Sequence, residues 1–265
     1  MRLRSKEDAI SFVNHRQFVF FWPIRDVVMP SLWAATAGDR PVPDEHDDPG
    51  HITWRWKDEL IDKRVWYYAR LLRRRNTFVS YEALPYFYAL SPNYGDPDQD
   101  YLLQYEQGLL TQESKLVYEA LLKEGPLDSI SLRKAAHLSS VESTSRFNRA
   151  LDALQSEFKV LPTGIAEAGA WRYAFIYDLT HRYYPDLVEK SGPIPEPAAR
   201  QHLLTAYFAS VGAATQREAQ KLFAWRLEDL TRALTSMINQ NLLIKDVSLD
   251  GLDQPFLAVR DLFDM

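Results

Sequence analysis

The chain has 265 residues, of which 46% are hydrophobic and 25% charged, with a net charge of −5 at pH 7. That balance excludes a disordered polymer and leaves room for one large domain or two to three small ones. The lack of cysteine excludes disulfides, thiolate zinc sites and a cysteine nucleophile; the net acidity argues against a protein that coats nucleic acid non-specifically, because that affinity comes from neutralising phosphates with Lys and Arg.

In chain order, SKEDAISFVNHR (5–16) predicts a helix started by Ser5, with Asp8 at the capping-box position. QFVFFWPIRDVV (17–28) is too short for a membrane span and lacks the basic flank, long apolar core and cleavage site of a signal peptide. It reads as a buried strand broken by Pro23; no membrane partner is expected and the protein is placed in the cytoplasm. PSLWAATAG (30–38) predicts a short helix with Pro30 at its first position. RVWYYARLL and NTFVSYEA predict a hairpin over Arg73–Asn76, and ALPYFYAL another helical turn. GDRPVPDEHDDPGH (38–51), SPNYGDPDQD (91–100) and EKSGPIPEPAAR (189–200) are rich in Pro and charge and read as breaks. They divide the chain into 1–110, 111–190 and 191–265.

The middle segment is the clearest. TQESKLVYEALLKEG (111–125) has Leu116, Val117, Ala120 and Leu121 at helical spacing and stops at Gly125. SISLRKAAHLS supplies a second short helix that Asp128 or Ser129 can cap. VESTSRFNRALDALQSEFK supplies a third, with Phe147, Leu151, Leu154 and Phe158 on one stripe, and VLPTGIAEAGAWRYAFIYDL two strands around a loop closed by Gly169. Three helices followed by a hairpin predict a winged helix-turn-helix, the third helix being the reader and the hairpin the wing.

The last segment repeats that plan. PAARQHLLTAYFASVG ends at Gly212, TQREAQKLFA and LEDLTRALTSMINQN follow, and LLIKDVSL and PFLAVRDL flank a turn at Asp250 and Gly251. Gly125 aligns with Gly212, Arg149-Ala-Leu with Arg232-Ala-Leu, and Tyr177-Asp-Leu with Arg260-Asp-Leu. The fold class expected is therefore mainly α with small β-hairpins (α+β), built as tandem winged helix-turn-helix domains. Residues 1–110 leave room for a third, degraded copy.

Such a unit binds double-stranded DNA through its third helix and wing. Ser143, Arg146 and Arg149 are expected at the exposed start of that helix, Lys134 and Arg172 where phosphates are met, and Arg73, Arg74 and Arg75 as further phosphate contacts. In the last repeat Arg226 and Arg232 alternate with Glu228 and Asp229, a face better suited to a protein partner. His46, Asp47, Asp48 and His51 have metal-ligand chemistry, but the Pro and Gly around them make a polar loop the simpler reading; neither a metal nor a cofactor is expected. Asp58 and Glu59 are a weak carboxylate pair, since neighbours on a helix point apart. Trp54, Trp56, Trp66, Tyr67 and Tyr68 read as core before they read as a base-stacking surface.

The stretch FNRALDALQSEFKVLPTGIAEAGAWRYAFIYDLTHRYYPDLV, and more loosely RVWYYARLLRRRNTFVSYEALPYF, resembles the winged-helix DNA glycosylase family of the AlkZ/YcaQ group. The resemblance covers most of residues 60–265. It implies tandem winged helices followed by a C-terminal barrel, excision of alkylated bases and unhooking of interstrand crosslinks, and a catalytic Gln-x-Gln or Gln-x-Asp motif after a short apolar stretch. Here the sequence runs out at DLFDM, just past the last wing, and the polar pair falls on Phe20 and Trp22. Neither an aromatic ring nor an indole can orient a water or stabilise a sugar cation as an amide or carboxylate does. The expectation is thus a DNA-binding relative of these glycosylases without their catalytic pair. Two alternatives stand beside it: an active glycosylase using Asp26 as a water-orienting carboxylate near the middle of the molecule, and a winged-helix scaffold for protein interaction or transcriptional regulation.

Overall fold

A computed structural model describes residues 2–45, 47–169 and 172–263. The chain opens with α1 (Lys6–Arg16), where the Ser5 hydroxyl accepts from Asp8 N and the Asp8 carboxylate accepts from Ser5 N, closing the expected capping box. β1 (Phe18–Phe20), α2 (Leu32–Ala37), α3 (Ile52–Leu60), β2 (Tyr67–Arg70) and β3 (Asn76–Val79) follow, and the strands form an antiparallel sheet in the order β1-β3-β2. The hairpin predicted around Arg73 is present, with Arg70 opposite Asn76. Pro30 does not begin α2. Ser31 is the cap, its hydroxyl accepting from Ala34 N at 3.1 Å, a bond that leaves proline outside the first turn.

This sheet explains the apolar run at its edge. Phe18 and Phe20 face one core together with Tyr67 and Val79, whereas Val19 and Phe21 face a second core with Tyr68, Phe78 and Trp66. A strand covered on both faces loses the alternation that marks a half-exposed one, so FVFF is continuous. Trp56, Trp66, Tyr67 and Tyr68 are buried as expected, and Trp54 is partly exposed.

α4 (Leu84–Ala89) and α5 (Pro97–Glu106) connect this unit to the next. Residues 91–100 are thus only partly a break: Pro97 starts α5 at a position where its missing N–H costs nothing. The preceding turn is tied by Asp100, whose carboxylate accepts from Tyr94 N and Gly95 N.

The middle unit contains α6 (Gln112–Glu124), β4 (Leu127–Asp128), α7 (Ser129–Ala135), α8 (Thr144–Ser156), β5 (Val160–Ala166) and β6 (Ala174–Leu179), with strand order β4-β6-β5. Asp128 caps α7 by accepting from Ile130 N and Ser131 N. Phe147, Leu151 and Leu154 point into the unit's own core. Phe158 leaves that stripe: it lies beyond the end of α8 in a left-handed conformation, φ 58°, and packs in the central core.

After α9 (Thr180–Tyr183) and α10 (Leu187–Ser191), the last unit has α11 (Glu196–Val211), β7 (Ala213–Ala214), α12 (Gln216–Phe223), α13 (Leu227–Asn239), β8 (Leu243–Leu249) and β9 (Leu252–Val259), with strand order β7-β9-β8. Gly212, at φ 79°, makes the left-handed stop that ends α11. In all three units a strand between the first and second helices pairs with the second strand of the closing hairpin. The chain is thus mixed α and β with small antiparallel sheets. The first and last units share the central core, where Phe18, Phe20, Tyr67 and Phe87 meet Leu203, Tyr207, Phe208 and Phe223. Among the described residues no helix is long and apolar enough to cross a membrane.

Candidate nucleic-acid interface

The basic side chains gather around α8 and the turn between β2 and β3. Arg146 and Arg149 are exposed on α8. Arg146 reaches Glu113 on α6 at 3.1 Å, while Arg149 has no carboxylate within 4 Å among the described residues. One turn further along, Asp152 accepts from Arg70 at 2.7 Å, and Gln155, buried, accepts from Arg70 N at 3.1 Å. These bonds bring the end of α8 against β2 and its turn. Arg73, Arg74 and Arg75 are exposed on that turn, which packs against α8. Arg73 and Arg74 are both left-handed, at φ 56° and 52°, a conformation that costs a long side chain energy and that glycine or asparagine normally takes.

The other predicted contacts lie apart or are otherwise engaged. Ser143 is not an exposed helix-start residue: it is buried, its hydroxyl 2.6 Å from Leu138 O and 2.8 Å from Ser140 O, because it locks the turn between α7 and α8. Lys134 is exposed on α7. Arg172 is exposed at the tip of the β5–β6 hairpin and paired with Glu167. Asp26 is not near the middle of the molecule. Its side chain is 71% exposed and 3.9 Å from Lys221, since the chain leaves β1 through Pro23 and turns outward, with Asp26 itself left-handed at φ 58°. The described part of the HDDxxH cluster is a loop brace: the Asp48 carboxylate accepts from Arg40 at 2.6 Å and from Gly50 N at 2.7 Å, while His51 Nε2 lies 3.2 Å from Pro43 O. The Arg40 guanidinium holds the Asp48 carboxyl below its ordinary pKa. His46 lies outside the described residues.

The structure also shows a cluster that the motifs did not single out. Lys57 on α3 is 1% exposed. Its ammonium donates to Tyr173 Oη at 2.8 Å and lies 2.7 Å from Asp58, and Tyr173 in turn donates to Asp58 at 2.9 Å. The Phe175 and Trp54 rings stand 4.5 and 5.2 Å from it. Burial pushes the Lys57 pKa down and Asp58 opposes the shift. The signal was available: Thr53, Trp56, Lys57 and Leu60 fall at helical spacing on one buried face. Through Tyr173, this cluster pins the β5–β6 hairpin onto α3.

Beside the basic turn, Trp22, Pro23, Ile24, Arg25, Arg70, Arg74, Arg75 and Asn76 line a cavity of about 470 Å³. Phe20 is completely buried and Trp22 forms part of the cavity wall. These are the positions on which the Gln-containing pair falls in the resemblance, and at neither does the structure offer an amide or carboxylate.

The AlkZ-related family matches residues 3–224, most of the chain and all of this region. The chain belongs to the AlkZ-related family. Among solved structures, the Streptomyces sahachiroi DNA glycosylase AlkZ shares the fold, with a TM-score of 0.55 at 12% sequence identity. That similarity covers 99% of this AlkZ-related chain and 66% of the Streptomyces chain, so this chain spans just under two thirds of its relative's length. No curated protein matches it.

Proposed function

We propose that this AlkZ-related protein binds double-stranded DNA through tandem winged helices and lacks its family's catalytic pair. Each unit has the helix, strand, helix, helix, hairpin order of a winged helix, which supports three such domains, at 1–110, 111–190 and 191–265. The observation that carries the reading is the packing of the turn that exposes Arg73–Arg75 beside α8, the helix that exposes Arg146 and Arg149. A net-acidic chain that holds exposed arginines on adjoining elements has the local patch that phosphate contacts need. Lys134 on α7 and Arg172 at the hairpin tip are further phosphate contacts of this reading, apart from the patch. The last unit suits a protein partner: Arg226 and Arg232 on or beside α13 are paired with Glu228 and Asp229. Phe20 and Trp22 are the reason for withholding base excision, and Asp26 faces solvent.

The test is duplex binding as a function of salt. Replacing Arg146 and Arg149 together by alanine is expected to reduce the slope of log K against log salt by about 2, if each arginine meets one phosphate. The same double variant should bind at least tenfold more weakly at low salt. Unchanged affinity and slope would remove this interface, and Asp26-dependent release of a base from alkylated duplex would replace the binding role with an enzymatic one.

A further inference from the structure

We infer that the cavity beside Trp22 is a binding site for a nucleotide carrying a phosphomonoester, free or at the 5′ end of a strand. Four arginines line it, and three of them, Arg25, Arg74 and Arg75, have no carboxylate within 4 Å among the described residues. Arg70 is offset by Asp152. The carboxylate of Glu157 feels Arg74 only at longer range and is itself 3.6 Å from Lys159. Like charges brought to one concavity repel one another, and a bound anion relieves the repulsion. Guanidinium forks match phosphate oxygens two at a time. A monoester carries about −1.5 to −2 charges at pH 7, and so suits three free arginines better than the single charge of a backbone diester.

The remainder of the wall indicates more than phosphate. A volume near 470 Å³ lies within the range of small-molecule sites, about 300–1,000 Å³, and exceeds what a phosphate group fills. Trp22 supplies a partly exposed aromatic surface and Asn76 an amide, the groups that stack on a base and bond to its edge. Arg74 fits the same account, because the turn keeps its side chain at the cavity wall in a left-handed conformation, φ 52°, at a backbone cost that glycine would avoid.

Titration calorimetry with 2′-deoxyadenosine 5′-monophosphate tests the site. Binding to the wild type is expected, at least tenfold tighter than deoxyadenosine or inorganic phosphate. Arg25→Ala, an exposed loop change outside the duplex-binding residues, should weaken it at least tenfold at an unchanged melting temperature. Trp22→Leu should do the same; if that variant unfolds, Arg25→Ala carries the test. No nucleotide binding, or equal binding by Arg25→Ala, overturns the proposal, and inorganic phosphate binding as tightly as the nucleotide overturns its base-recognising half. A preference for 5′-phosphorylated over 5′-hydroxyl duplex, lost in Arg25→Ala, assigns the ligand to a strand end. Nucleotide binding without that preference assigns it to the free pool. Arg74 and Arg75 belong to both surfaces, but the Arg146/Arg149 double variant should keep nucleotide binding and Arg25→Ala lies outside the duplex-binding residues, so the two variants separate failure of this site from failure of the duplex interface.

Discussion

His202 joins the last unit to the first through its imidazole. The ring stacks on Tyr86 at 3.7 Å, almost parallel, and one nitrogen lies 2.7 Å from the Gln17 amide oxygen. Burial pushes its pKa below the ordinary 6.5, only partly opposed by Glu82. As pH falls, the unfolded chain therefore takes up the proton first. The stability held above pH 6.5 is lost through the interval from 6.5 down to the depressed folded value. Thermal melts between about pH 7 and 5 should show this loss, and a His202→Gln variant should show less of it. Equal slopes in the two proteins would assign the acid sensitivity to other groups, such as His181, which burial lowers in the same way. Lys57 is another residue whose setting depends on a distant segment, since Tyr173 lies 116 positions away. A buried ammonium without partners would cost several kcal/mol; Tyr173, Asp58 and the surrounding rings make it tolerable.

At the scale of elements, local chemistry accounts for most boundaries. Ser5, Ser31, Thr111, Asp128 and Thr215 each cap the helix that follows through a side-chain oxygen, and the spacing of apolar residues in α6 and α8 faces them into one core. At α2 proline's fit to a first turn competes with the capping hydroxyl next to it, and the hydroxyl of Ser31 sets the boundary. The junction of α2 and α3 rests instead on a close approach that no local rule announces. A Cβ at Gly50 would stand 2.6 Å from Trp33 Cη2 and 2.9 Å from Ala37 Cβ, and Trp33 is completely buried. Gly50→Ala should cost about 1–3 kcal/mol by overpacking, measured as a lowered urea midpoint at unchanged m-value. A neutral result would mean that the α2 region shifts freely.

Across the whole molecule, the turn at Arg73–Arg75 and the residue Phe158 lie where the three units meet. Phe158 leaves its own helix to pack 5.2 Å from Tyr67 and 6.3 Å from Phe87, centroid to centroid, and with those residues belongs to the core that also holds α11, α12 and α13 side chains. Phe158→Ala should lower stability by about 3–5 kcal/mol. Because the cavity would open at the junction and not inside one unit, the melting transition should also broaden or split in calorimetry. A small loss with a single sharp transition would show that the units hold together without this contact. The same junction aligns α8 with the arginine turn, so its loosening should weaken duplex binding along with stability.

The sequence by itself determined the three helices of each winged-helix repeat in 111–190 and 191–265, the three hairpins and the family, because caps, turn residues and apolar spacing act within a few residues of one another; α5, which begins inside a segment read as a break, it did not. It also marked Arg73–Arg75, Arg146 and Arg149 as basic clusters. Only the tertiary structure decided which of them share a surface. Arg70 pairs with Asp152 across 82 positions, a contact that no local pattern encodes, and it sets the arginine turn beside α8. Burial likewise withdrew Ser143 into a turn and Lys57 into an aromatic box, while solvent received Asp26. The apolar run at 18–21 was legible as a strand, but the reason for its continuity, a separate core on each face of the sheet, exists only once α1–α3 and the last unit have packed against it.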